Sequence, residues 1–242
     1  MKKIIFIVCF LIAVQHSFAQ AVFLSKGKIE FEKKTNVWID LTGSFADDLK
    51  KSIPEYKTSY FDYEFDGNKS IYKPGREVEN KASNFFSSLA NDNIVFSNFK
   101  TDKYIALKHV FEKTFLIEDS LRNAKWKIKN DFRDIAGFHC RRATTIIMDS
   151  VFVVAFYTDE ITAPGGPESF CGLPGMILGL VINRVHTTWY ATKVETEAVD
   201  EKDIAPPSKG NKISEATLRE ELKKLMADWG KYGQRNMWNI MI

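Results

Sequence analysis

The 242-residue chain has no uninterrupted apolar run of eighteen residues, so no membrane-spanning helix is expected. It has no Gly-x-Ser-x-Gly elbow, no His-Glu-x-x-His pair and no glycine-rich phosphate loop, which removes the commonest signatures of nucleophilic, zinc-hydrolytic and nucleotide chemistry. Charge of one sign is scarce too. The formal net charge is +3, and about +1 without the first nineteen residues, too little to make a case for nucleic acid. Internal repeats and low-complexity tracts are absent. Cysteine is limited to three residues, none in a Cys-x-x-Cys spacing, so a thioredoxin-like centre has no support. No cofactor is called for, and the chain reads as more suited to binding than to catalysis.

What is present begins with residues 1–19. Lys2 and Lys3 precede an apolar run from Ile4 to Val14, and Ser17-Phe18-Ala19 places small residues where a signal peptidase cuts. The run is too short to span a bilayer. It predicts a cleaved secretory signal and an exported protein of residues 20–242, a length suited to a single domain.

Aromatics are abundant, with 19 phenylalanines, and most of the exported portion divides into short alternating runs separated by turn residues. Lys28–Glu32, Ser59–Phe65 and Ser70–Tyr72 are the first, with Asp66-Gly67-Asn68 as a hairpin turn. Runs follow at 93–100, 104–110, 113–118, 126–128, 144–148, 151–157, 176–185 and 187–194, with Asp149-Ser150 as a second turn. Spacing of this kind predicts a mainly β (α+β) fold. The expected form is a single curved antiparallel sheet or open half-barrel with a C-terminal helix packed on it. A short helix is expected over 44–51. A longer one runs from 213 or 214 to about Trp229, with Leu218, Leu222, Leu225, Met226 and Trp229 on one face. The tail Met237–Ile242 is apolar and reads as core or as a docking patch.

Cys140 and Cys171 remain after export. In an oxidising compartment an even pair reads most simply as a disulfide, closing a loop of 32 residues. Free thiols remain open, as does a metal site of His139, Cys140, Cys171 and His186, although neighbouring residues on a strand face opposite ways. The segment Ala163-Pro164-Gly165-Gly166-Pro167 leads to Phe170-Cys171 and then Gly172-Leu173-Pro174-Gly175-Met176-Ile177. Proline followed by glycine suits a type II turn feeding a buried strand. Tyr157, Pro164, Gly166 and Pro167 are candidates for a rigid rim around a ligand.

This last motif resembles that of the GLPGLI family of exported bacterial proteins, with Met176 where the family has Leu. Gly137-Phe138-His139-Cys140 with Ala143-Thr144 is similar to the family's upstream Cys strand, and Phe156-Tyr157-Thr158-Asp159-Glu160-Ile161 to its aromatic segment. Glu168 stands where a Trp is frequent. The resemblance implies a periplasmic location in a Gram-negative envelope, supports the pairing of Cys140 with Cys171, and transfers no catalytic residue. Two functions follow as expectations: a binding or carrier module for an apolar or envelope-derived ligand, or a structural partner of an outer-membrane transport receptor. The His/Cys metal protein is the third.

Overall fold

The computed structural model describes residues 23–78, 91–122, 124–196, 199–200 and 202–242. The expected signal at residues 1–19 lies outside them. Twelve strands form one open sheet: β1 (Lys26–Asn36), β2 (Tyr56–Asp66), β3 (Lys69–Pro74), β4 (Ile94–Asn98), β5 (Lys103–Val110), β6 (Lys113–Ser120), β7 (Lys127–Ile135), β8 (Phe138–Ile147), β9 (Val151–Thr158), β10 (Met176–Ile182), β11 (Thr187–Glu195) and β12 (Asn211–Ile213). The helices are α1 (Ala46–Ser52), α2 (Glu215–Leu225) and α3 (Gly230–Met241). No helix among the described residues is long and apolar enough to cross a membrane.

The order across the sheet is β12-β6-β5-β4-β3-β2-β1-β11-β10-β9-β8-β7. One meander runs outward from β1 to β6, and a second runs inward from β7 to β11, which closes against β1. Pairing is antiparallel apart from the short β12, parallel to β6. This order dictates curvature. Strands β6 and β7 stand ten steps apart, which in a flat sheet is about 48 Å. Residues 121–126 link them, and so short a link reaches no more than about 25 Å. The sheet therefore curls until its two ends approach, without joining into a barrel.

Alternation sets what the curl encloses. Ile29 and Phe31 of β1, Phe61, Tyr63 and Phe65 of β2, Val151, Val153 and Ala155 of β9, and Trp189 of β11 are all buried in one cluster. Hairpin turns fall where the chain accepts positive φ: Gly67 (53°) after β2, and Ala136 and Gly137 (50° and 86°) between β7 and β8. The turn expected at Asp149-Ser150 sits one residue earlier, with Met148 and Asp149 at φ of 47° and 63°. Edge strand β7 is exposed along its length except Ile135 and carries lysine, aspartate and arginine, which discourages pairing with a further strand.

The helix expected from 213 or 214 to about Trp229 is α2, which ends earlier, and a further helix, α3, follows beyond that range. Ser214 caps α2, its hydroxyl accepting from the Thr217 amide at 3.1 Å. The helix stops at Leu225, a 3₁₀ turn covers Ala227–Trp229, and Gly230 at φ 55° starts α3. Leu218, Leu222 and Met226 are buried as the stripe predicts, whereas Leu225 and Trp229 face solvent. The apolar tail forms the end of α3, and Trp238, Ile240, Met241 and Ile242 are buried against the open mouth of the curl.

Candidate ligand cleft

The 17-residue connection between β9 and β10, residues 159–175, turns into the curl and fills it. Ile161, Ala163, Phe170 and Leu173 are buried. Gly165 is required here: a Cβ would lie 1.8 Å from the Tyr63 hydroxyl. Gly175, at φ 135°, leaves 2.0 Å between a hypothetical Cβ and the Thr158 carbonyl. Its amide donates to the Leu173 carbonyl at 2.8 Å, so the Leu-Pro-Gly turn closes over three residues, one fewer than the expected type II turn. Gly172 and Pro174 face solvent, while Leu173, Gly175, Met176 and Ile177 are buried. The motif thus anchors the plug to β10. The residues expected to form a rim do not: Tyr157, Gly166 and Pro167 are buried and Pro164 half-buried.

Ionic groups inside the curl have partners supplied by the protein. Glu168 accepts from Lys33 at 3.3 Å and from the Asn93 amide at 3.0 Å. Lys33 also stands over the rings of Phe61 and Trp189, 5.5 and 5.1 Å from their centres. Lys108 donates to the Ile240 carbonyl at 2.7 Å and Arg122 to the Met241 carbonyl at 2.8 Å. Two cations therefore sit at the negative end of α3 and satisfy carbonyls that have no partner within the helix. Burial pushes the Lys108 ammonium down to about 8. The space left among Lys108, Arg122, Ser169 and the end of α3 is about 10 Å³, room for one water at most.

Cys140 and Cys171 are free thiols, and this corrects the expected disulfide. Cys140, on β8, lies 3.5 Å from the Phe138 carbonyl, and Cys171, in the plug, lies 3.8 Å from the Arg122 carbonyl. Burial pushes their thiols up to about 12 and about 11. The proposed metal set is not assembled either. His139 is exposed, bonded to Asp134 at 2.9 Å and stacked on Phe132, while Cys140 points inward and His186 lies in the β10–β11 turn. Among the described residues, no cluster of three or more His, Cys, Asp or Glu side chains is disposed to hold a metal.

Open space is found outside. A cleft of about 510 Å³ lies where β1 ends, β9 begins and β10 turns into β11, with α3 as the far wall. Ile39 and Thr42 come from the segment after β1, Phe152 from the outer face of β9, and Asn183, Arg184 and His186 from the tight β10–β11 connection. Tyr232, Gln234, Arg235 and Trp238 come from α3, at spacings that put them along one side of the helix. The Tyr232 and Thr42 hydroxyls are 3.2 Å apart and tie the walls together. Phe152 and Tyr232 are 46% and 40% exposed. Arg184 lies over the Trp238 ring at 5.3 Å and Arg235 over Tyr232 at 5.9 Å. Burial pushes the His186 imidazole below its ordinary value, leaving it neutral at pH 7. Of these residues, sequence reasoning singled out His186, as a metal ligand, and Trp238, within the apolar tail read as core or docking patch. Phe152 opposite the exposed Ile146 was the available signal, since both break the rule that large apolar strand residues point inward.

A larger groove of about 880 Å³ runs between the β5–β6 hairpin and α2, lined by Val110, Phe111, Phe115, Leu218, Leu222 and Leu225. Its floor offers no polar side chain. Its charges, on Glu112, Lys113, Glu221 and Lys224, belong to solvent-exposed positions.

The sequence family described as "N-glycanase peptide, N-terminal domain" matches residues 84–219. The span begins before β4 and ends within α2, so it includes Phe152, Asn183, Arg184 and His186 but not the α3 wall of the cleft. The GLPGLI family, whose motif residues 172–177 resemble, is not the family found. No curated protein matches the chain. Among solved structures, PNGF-II in a C2 crystal form is 14% identical with a TM-score of 0.53, covering 81% of this chain and 32% of that one. PNGF-II in a P21 form is 13% identical with a TM-score of 0.54, covering 86% and 34%. The chain spans about a third of the length of PNGF-II, and at such identities the likeness is one of fold.

Proposed function

Since the chain belongs to the family of N-glycanase peptide N-terminal domains, we propose that it is a non-catalytic glycan-binding module, exported to the periplasm, that takes an oligosaccharide in the cleft between α3 and the β10–β11 turn. The family's name links its members to enzymes acting on N-glycans, and this chain corresponds to one part of such an enzyme. The carrying observation is the cleft itself: exposed rings of Phe152 and Tyr232 beside Asn183, Gln234 and Thr42, in about 510 Å³. Sugar rings have apolar C–H faces and polar edges. Aromatic faces serve the first, planar amides and hydroxyls the second, and a concave site of a few hundred Å³ suits two or three sugar units. For an apolar cargo beneath the sheet, the alternative binding mode, the space beside Lys108, Arg122 and Ser169 is about 10 Å³. Export rests on the leader-like residues 1–19.

Isothermal titration with free neutral N-glycans tests the reading. Saturable binding by the wild type is expected, weakened at least tenfold in Phe152→Ser/Tyr232→Ala with the melting temperature nearly unchanged, because both rings are exposed. Absence of binding to any neutral or acidic N-glycan, or unchanged affinity in the variant, overturns it. The interaction reading keeps one observation of its own, the apolar groove beside Phe111. Co-purification with an outer-membrane receptor that Leu225→Glu abolishes is its expected mark.

A further inference from the structure

The charges of the cleft point to a narrower ligand class. Its described lining holds two arginines, Arg184 and Arg235, and no aspartate or glutamate. Elsewhere on this protein exposed cations are commonly matched: Lys28 with Asp62, Arg76 with Glu30, Arg142 with Asp131 and Arg219 with Glu215. Among the described residues Arg184 has no ion pair or hydrogen bond, and its one recorded contact is the Trp238 ring beneath it. A guanidinium over a ring can keep N–H groups free, and Arg donates two parallel hydrogen bonds to a carboxylate. Arg184 sits on the rigid 3₁₀ turn Asn183–Val185, held by the His186 amide donating to the Asn183 carbonyl at 3.0 Å, and by the Asn36 amide donating to the His186 carbonyl at 2.9 Å. The cation is therefore presented by backbone that is pinned to β1, with the buried Trp238 ring 5.3 Å away.

We infer that the cleft selects an acidic glycan, with Arg184 receiving a sugar carboxylate and Arg235 adding to the positive field on the opposite wall. The inference rests on the glycan-binding reading and specifies the sugar. The preference is set by the arginines, which stay charged across neutral pH. Because the charges are partly open to solvent, the preference weakens with added salt.

Sialylated biantennary N-glycan and its sialic-acid methyl ester, which has the same shape without the charge, are titrated in parallel into the wild type, Arg184→Gln and Arg184→Gln/Arg235→Gln. The wild type is expected to bind the acid at least tenfold more tightly than the ester. The gap, read as the ratio of acid to ester affinity within each protein, shrinks to threefold or less in Arg184→Gln and vanishes in the double variant. Equal wild-type affinity for acid and ester overturns this inference and leaves glycan binding standing. A gap that persists in the double variant overturns the assignment to Arg184. Failure of both glycans to bind overturns the glycan-binding reading itself.

Discussion

Inside the curl, Lys33 lies over Phe61 and Trp189 and ends on Glu168; at the cleft, Arg184 lies over Trp238 and has no ion-pair partner among the described residues. The two regions use the same materials, a cation stacked on an aromatic ring. In the interior the chain carries its own counter-ion inward on residues 159–175 and sets it against Lys33. At the cleft the counter-ion is missing and about 510 Å³ is open. A stacked cation with an internal partner is architecture; the same group without one is poised for a ligand. Glu168 is the residue that makes the difference, and it occupies a left-handed conformation, φ 55°, that a glutamate adopts only when its surroundings hold it there.

The largest expected effect comes from taking that partner away. Glu168→Gln keeps the shape but leaves the Lys33 ammonium buried without its charge, and is expected to cost about 3–5 kcal/mol in urea unfolding. Lys33→Met/Glu168→Leu, which removes both charges, is expected to lose less than the single variant. If the single variant unfolds with the wild type, the interior pair is not structural and the contrast with the cleft collapses.

A smaller effect concerns the cation under α3. The Lys108 ammonium titrates at about 8 in the folded protein against 10.5 for an ordinary lysine. The unfolded chain therefore holds this proton more tightly, and the wild type gains stability as pH rises between those values, by about 3 kcal/mol in all. Burial raises the Cys140, Cys171, Tyr63 and Tyr104 groups, which act in the opposite sense at alkaline pH. The quantity to measure is thus wild type against Lys108→Met. The difference is expected to be flat below pH 8 and to move in favour of the wild type from pH 8 to 10.5. No movement would place Lys108 in contact with water.

The smallest perturbation is chemical labelling. Buried thiols at about 12 and 11 are expected to resist iodoacetamide in the folded protein near pH 8. Both are expected to react in denaturant without prior reduction. A 140–171 cross-linked peptide in an unreduced digest would restore the disulfide.

The curled antiparallel sheet was legible because its strands alternate cleanly and the β2–β3 hairpin carries Gly67 where φ turns positive. Strand β7 was legible only in part: with nearly every residue exposed, Lys127–Ile135 has no apolar period to read. The break between α2 and α3 was hidden because Leu225 and Trp229 continue the helical stripe although neither is buried. The Pro-Gly-Gly-Pro and Gly-Leu-Pro-Gly segments were conspicuous for a structural reason, since glycine at 165 in the first and 175 in the second is what lets the plug pass Tyr63 and Thr158. The cleft was illegible because its residues come from four separate stretches between Ile39 and Trp238. No local spacing records that meeting; it follows from the sheet order that brings the end of β1 beside the β10–β11 turn.

A crystal structure grown with a short N-glycan at saturating concentration is the most direct check. The sugar is expected between Phe152 and Tyr232 with its polar edge toward Arg184, and the interior of the curl unchanged. Sugar density in the groove beside Phe111 or on the outer face of β7–β9, with the α3 cleft bare, would contradict the account.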